Sequence, residues 1–242
     1  MALGTLYGIG IGPGDPDLIT VKGARIISQC GHVFVPKARK GAESVARSIA
    51  EKHIGPSAMI HEIVFPMTQD RITLTKHWEE SARQVAEVLQ SGADACFLTL
   101  GDALLYSTYI YLIRSLKKIL PAVTIVTIPG ITAFSAAAAL TNRPVGEGKR
   151  LVTVVPTADD LGDVRRALET GGTVILMKIA NRLGAIIDLL EEKKVVDRSV
   201  LVSRAGMEGQ RIETDLRSLR GQDETLGYLS VIIVSVDGEA IG

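Results

Sequence analysis

The sequence predicts an α/β protein of two domains, a mainly parallel sheet within residues 1–128 and a mixed sheet within 129–242, with a ligand cleft between them. Three observations carry this. The apolar runs Val33 to Val35, Ala95 to Leu100 and Val123 to Ile128 read as strands buried on both faces, as in parallel sheets. Segments of helical period alternate with them, as strand–helix–strand units require. Past Pro129 and Gly130 the alternation restarts, so a domain joint falls near residue 128.

The first strand is the most distinctive stretch. Leu6 to Ile11 is an apolar run with Gly8 and Gly10 inside it, ended by Gly12, Pro13, Gly14, Asp15 and Pro16. Glycine inside a strand leaves room for a close neighbour, so a flat or bulky group is expected beside it. Asp15 is placed to cap a helix with Pro16 as its first residue, and Leu18, Val21, Ile26 and Ile27 to share one face of it. The dinucleotide fingerprint G-x-G-x-x-G fails here, because its last glycine falls on Pro13 counted from Gly8 and on Asp15 counted from Gly10. A carboxylate at that helix start also stands where a pyrophosphate would bind. A tight turn that holds no ligand is the alternative.

After Val35 the chain runs through Pro36 into a basic loop of Lys37, Arg39 and Lys40. Val45 and Ile49 share a face of a short helix, and His61 to Phe65 is a weak strand. From Asp70 onward Leu74, Trp78, Ala82, Val85 and Leu89 recur at helical spacing until Gly92, and Trp78 reads as core. The next strand ends in Gly101 and Asp102, Tyr106 to Leu116 is helical, and Val123 to Ile128 closes this half. Thr132 to Leu140 is an alanine-rich helix broken by Asn142, Arg143 and Pro144. Strands follow at Leu151 to Val155, Thr173 to Lys178, Ser199 to Arg204 and Tyr228 to Val236, with helices at Asp160 to Glu169 and Arg182 to Glu192. Gln210 to Leu216, alternating Arg211, Glu213 and Asp215, is expected to pair with the C-terminal strand as a half-exposed hairpin arm.

The 242 residues are 46% hydrophobic, enough for a well-filled core, and 27 basic residues balance 27 acidic ones. A neutral chain has no general attraction for nucleic acid or an anionic membrane. No run approaches ~18 apolar residues and no signal segment opens the chain, so a cytoplasmic location is expected. Cys30 and Cys96 read as free buried thiols of a reducing compartment. No Cys/His grouping has metal-ligand spacing, and His32, His53, His61 and His77 read as surface or capping residues.

The unusual residues gather at strand ends: Gly12 to Asp15, Gly101 to Ala103, Pro129 to Ala133, Met177 and Lys178, and Arg204 to Met207. In open α/β sheets ligands bind beyond the carboxyl ends of strands. Asp102 and Thr132 each have a plainer reading as helix caps.

These residues resemble the tetrapyrrole methylases, which use S-adenosylmethionine. The likeness covers nearly the whole chain: Gly10 to Asp15 followed by Leu18, Thr20 and Gly23, then Gly101 and Asp102, then Pro129, Gly130, Ile131 and Thr132. Within the family the chain looks most like enzymes that methylate C20 of precorrin-2 or cobalt-factor II in cobalamin biosynthesis. That likeness rests on Val35-Pro36-Lys37, Phe65 to Thr68 and Ser203 to Gln210. It departs from the uroporphyrinogen-methylating members at Pro36, where they carry an acid, and at Met177-Lys178, where they have Tyr-Met.

The resemblance implies two α/β domains with the active-site cleft between them and S-adenosylmethionine as methyl donor. The cofactor residues it implies are Pro13, Leu100, Gly101, Asp102, Leu105, Thr132, Ala133, Met177, Lys178, Ala205 and Leu229. It implies methyl transfer to a carbon that is itself the nucleophile, so no general base is assigned, and any cobalt arrives with the substrate. A homodimer is expected. Asp102→Ala and Thr132→Val are each expected to weaken cofactor binding without disturbing the fold. For a substrate rich in carboxylates, Lys37, Arg39 and Lys40 are the candidate contacts, a solvated basic turn being the plainer reading. A binding protein of this fold without turnover, and a methylase of another acceptor, are the rival functions; methyl transfer to precorrin-2 and its cobalt complex separates all three.

Overall fold

The computed structural model of the chain describes residues 2–38, 41, 43–66, 68, 70–156, 161–222, 226 and 229–238. They group into two compact units, Met1–Thr132 and Ala133–Gly242.

The first unit contains β1 (Thr5–Gly10), α1 (Val21–Gln29), β2 (His32–Lys37), α2 (Val45–Ala50), β3 (Met59–Val64), α3 (Arg71–Gln90), β4 (Ala95–Thr99), α4 (Tyr109–Ile119) and β5 (Thr124–Ile128). Its five strands run in the order β3-β2-β4-β1-β5, all parallel. Central β4 is buried at every residue, as its unbroken apolar run requires. β5 carries a similar run but lies on the edge, where only Ile128 is buried, so the expected buried strand is half solvated. α3 starts on Asp70, whose carboxylate accepts from Ile72 N–H and Thr73 N–H at 3.2 and 3.1 Å. It buries Ala82, Val85, Ala86 and Leu89 in one cluster with Tyr109, Leu112 and Leu116 of α4 and Leu6, Phe34 and Phe97 of the sheet. Trp78 packs against this cluster and stacks on Tyr111 at 4.3 Å.

Two expectations about the first turn change. Asp15 accepts from Asp17 N–H and caps only a 3-10 turn, Pro16–Leu18; Ile19 is extended, and Thr20 then caps α1 through Gly23 N–H at 3.1 Å. With two cap residues so close together the helical frame restarts, leaving Val21 87% exposed while Ile27 is fully buried. The room at Gly8 is filled from within: a Cβ there would stand 2.0 Å from the Tyr109 ring, whose hydroxyl bonds Thr127 Oγ1 at 3.0 Å. The flat neighbour of β1 is therefore a core tyrosine. α4 begins at Tyr109 and not at Tyr106, because Tyr106 is left-handed (φ 52°) and the Ser107 hydroxyl accepts from Tyr109 N–H.

Histidine also departs from expectation. His32 Nδ1 and His61 Nε2 share a hydrogen bond of 2.9 Å across neighbouring strands, and His61 stacks on Phe34 at 4.4 Å. Burial and the adjacent His32 lower the pKa of His61 from its ordinary value. Cys30 and Cys96 are free and buried, as expected, and the Cys96 thiol pKa is pushed up by its hydrogen bond to Cys30 and by burial.

The second unit contains α5 (Ala133–Thr141), β6 (Val152–Pro156), α6 (Gly162–Thr170), β7 (Thr173–Met177), α7 (Leu183–Glu192), β8 (Ser199–Ser203), β9 (Arg211–Glu213) and β10 (Ser230–Ser235). Strand order is β6-β7-β10-β8-β9, with β6/β7 parallel and the other pairs antiparallel. The expected partner of the 210–216 segment is thereby corrected: β9 pairs with β8 and not with the C-terminal strand. β10, with Val231 to Val234 buried, takes an interior place where both faces are covered, whereas the charged Arg211 and Glu213 suit an edge. Asp160 and Tyr228, expected to open a helix and a strand, lie outside the described residues.

Candidate functional site

At the carboxyl end of the first sheet three turns are stitched together. β1 lies between β4 and β5, so the turns that leave these strands are neighbours. Gly12 N–H donates to the Gly101 carbonyl at 3.2 Å and Gly101 N–H to the Gly12 carbonyl at 2.8 Å, with both residues left-handed at φ 79° and 71°. A Cβ on Gly10 would lie 2.6 Å from Gly130 N, and one on Gly130 would lie 2.2 Å from Gly101 O, so the backbones meet only because these residues are glycine.

Asp102 completes the arrangement. Its Oδ1 accepts from Leu104 N–H and its Oδ2 from Gly130 N–H, both at 2.9 Å. It caps no helix, since α4 starts at Tyr109, and instead ties the turn after β4 to the turn after β5, so the expectation that its carboxylate can be removed without disturbing the fold is corrected. An ionised carboxylate offers about four lone-pair sites, so these two bonds leave capacity for ligand hydroxyls. A Cβ on Gly101 would meet nothing within 4 Å, so the turn faces open space with room for a ligand group. Pro13 is buried beside this rim, and Leu100, Leu105 and Thr132 are partly exposed on the same loops. Two residues that the sequence did not single out, Leu104 and Tyr106, project from the β4–α4 loop with 54% and 39% exposure. Their signal was the apolar run from Ala103 to Tyr106 in what is otherwise a loop.

The remaining expected cofactor residues belong to the second unit. Ala133 opens α5, and the others collect at one end of the second sheet. Val231 pairs with Met177 and Ser230 with Ser203, while Arg204 N–H donates to the Leu229 carbonyl at 3.0 Å. Lys178, Leu229 and Arg204 thus form one row, and all are left-handed, at φ 54°, 56° and 51°. Non-glycine residues of this conformation are uncommon and cluster at functional sites. Ala205, next in the chain, is buried. Partial desolvation lowers the pKa of Lys178 from its ordinary value although the side chain remains exposed to solvent.

The expected carboxylate contacts are placed differently. Lys37 ends β2 in an ion pair of 2.7 Å with Glu62, its side chain 12% exposed, and Arg47 stands 3.8 Å from the same carboxylate. Its charge is already answered within the unit. Arg39 and Lys40 lie outside the described residues.

Comparison with known proteins gives this geometry its relatives. Residues 5–220 match the family model of tetrapyrrole (corrin/porphyrin) methylases. The cobalt-precorrin-2 C(20)-methyltransferase of Salmonella typhimurium is 31% identical over 236 residues, 98% of either chain. Among solved structures, a cobalt precorrin-4 methyltransferase superposes with a TM-score of 0.75 at 22% identity, covering 97% of this chain and 96% of that one. A uroporphyrin-III C-methyl transferase from Thermus thermophilus, solved with S-adenyl homocysteine, superposes with a TM-score of 0.64 at 19% identity over 96% and 97% of the two chains. With a family match spanning most of its length and turns built as described, the chain belongs to the tetrapyrrole (corrin/porphyrin) methylases.

Proposed function

We propose that the protein is an S-adenosylmethionine-dependent methyltransferase acting on C20 of the precorrin-2 macrocycle in cobalamin biosynthesis, with the cobalt complex as acceptor. The observation that carries the methyl-donor site is the three-turn rim of Gly12, Gly101, Asp102 and Gly130, with open space before Gly101. The acceptor carbon and its cobalt are supported by the Salmonella typhimurium relative, alike over 98% of both chains.

When bound, S-adenosylmethionine supplies an electrophilic methyl group on a sulfonium centre. On this reading the rim backbone and Asp102 hold the polar end of the donor, while Leu100 and Leu105 cover its apolar part and exclude water. Thr132 belongs to the turn after β5, and for Ala133, Met177, Ala205 and Leu229 of the second unit a donor role is proposed from the family resemblance. The acceptor carbon is enamine-like and its own nucleophile, so the residues act by aligning carbon, methyl and sulfur. Such alignment is worth up to ~7–11 kcal/mol in favourable cases. Lys37 can reach a substrate carboxylate only by sharing Glu62, and Arg39 and Lys40 are proposed beside it.

We further infer a homodimer in the cytoplasm. Exposed Leu104, Tyr106, Tyr111 and Ile119 offer apolar surface for self-association, and the unpaired thiols of Cys30 and Cys96 suit a reducing compartment. Sedimentation at micromolar concentration is expected to show the dimer; a monomer rejects it. Transfer of a radiolabelled methyl group to cobalt-precorrin-2, with the product located at C20 by NMR, tests the main reading. Cofactor binding without transfer to either the cobalt or the metal-free acceptor overturns it.

A further inference from the structure

The end of the second sheet carries two cations at positions where glycine would be unstrained. Lys178 follows β7 and Arg204 follows β8, with Leu229 between them at the start of β10, and all three are left-handed. The chain uses glycine freely for this conformation only a few residues away, at Gly206 (φ 75°) and Gly209 (φ 77°). A side chain in that region costs folding free energy that glycine spares.

The loop that presents Arg204 is built rather than slack. Met207 N–H donates to the Arg204 carbonyl at 2.9 Å, Gln210 N–H to the Met207 carbonyl at 3.1 Å, and Gly206 N–H to the Gln210 side-chain oxygen at 2.7 Å. Arg165, Arg166, Arg211, Arg217 and Arg220 of the same unit each pair with a carboxylate. Arg204 is exposed and has no ion-pair partner among the described residues. Strands two places apart in a sheet set their ends about 10 Å apart, and the flexible stems of lysine and arginine cover the span between acidic arms on adjacent pyrrole rings.

We propose that Arg204 and Lys178 are specificity residues, a two-point clamp that takes carboxylates of two acidic side chains on neighbouring rings of the tetrapyrrole, Arg204 by its bidentate fork. The proposal rests on the tetrapyrrole reading and adds to it which residues select a polycarboxylated macrocycle. Glu208, exposed on the same loop, opposes the clamp by its charge.

The decisive variant is Arg204→Gly, which removes the side chain and relieves the left-handed strain together. Binding is read by fluorescence titration of the full chain with uroporphyrin III, an octacarboxylate, and with its octamethyl ester. Wild type is expected to prefer the acid, with an affinity that falls as salt rises. Arg204→Gly should unfold at a higher temperature, bind the acid about tenfold more weakly, lose most of the salt dependence and bind the ester unchanged. Arg204→Lys should recover part of the loss, and Lys178→Gly should weaken acid binding in the same direction. Glu208→Gln reports general charge effects and should tighten binding by less than Arg204→Gly weakens it. Wild type indifferent between acid and ester, or Arg204→Gly binding the acid as wild type does, overturns the clamp. Methyl transfer to cobalt-precorrin-2 by wild type tests the parent reading separately. Turnover with an unaltered KM in Arg204→Gly rejects the clamp alone, whereas lost acid preference in that variant without wild-type turnover rejects the C20 reading alone.

Discussion

Removing the Asp102 carboxylate tests whether one side chain serves both the fold and the proposed donor site. In Asp102→Ala, Leu104 N–H loses its acceptor in a largely solvated place, and Gly130 N–H loses its acceptor in a partly buried one. Water replaces the first at a cost of about 0.5 kcal/mol, and the second costs about 1–2 kcal/mol. The sum is roughly 2 kcal/mol, or about 4–8 °C in the melting temperature of a chain of this length. Asp102→Asn should cost nearly as much, since its one oxygen satisfies one N–H and its amide then confronts the other with a second donor. In both variants the turns after β4 and β5 separate, and S-adenosylmethionine should bind at least about tenfold more weakly, roughly 1.4 kcal/mol. The assays are thermal unfolding followed by calorimetric titration of the cofactor at a temperature where each variant is folded. An unchanged melting temperature in Asp102→Ala refutes the stitching argument. Lowered stability with unchanged cofactor affinity in both variants would leave Asp102 a purely structural residue.

Three further outcomes follow from the packing. Gly8→Ala drives a methyl group to within 2.0 Å of the fully buried Tyr109 ring, and should cost about 1–3 kcal/mol in denaturant unfolding; pairing it with Tyr109→Leu should recover part of that loss, and an additive double variant would contradict the clash. The pKa of His61 is lowered from 6.5 by burial and by His32, so the unfolded chain binds a proton that the folded chain resists. Stability contributed by this residue is complete above pH 6.5 and declines below it until the folded pKa is passed; His61→Phe should flatten the decline, which denaturant titrations on either side of pH 6.5 will show. Glu62→Gln removes the partner of Lys37 at 2.7 Å and should lower the KM for the tetrapyrrole if Lys37 then turns to substrate; an unchanged KM removes Lys37 from the substrate contacts.

The sequence alone determined the two-domain α/β architecture and the position of the glycine turns at the carboxyl end of the first sheet. The unbroken apolar run Ala95 to Leu100 suits a strand covered on both faces, as β4 is, whereas the similar run of β5 lies on an edge; the glycines at 10, 12, 101 and 130 mark where backbones meet, both being local signals. What covers Gly8 was not legible, because Tyr109 is distant in sequence and any bulky neighbour would need the same gap. The role of Asp102 lay beyond a single-chain reading for the same reason: its second oxygen is taken by Gly130, 28 residues away. Strand order in the second unit was decided by competition for the interior, which gave the apolar β10 the place between β7 and β8 and left the charged β9 an edge. The left-handed row of Lys178, Arg204 and Leu229 has no sequence signal at all. Its members lie far apart in sequence and come together only through the pairing of β7, β10 and β8, so the row belongs to the tertiary structure.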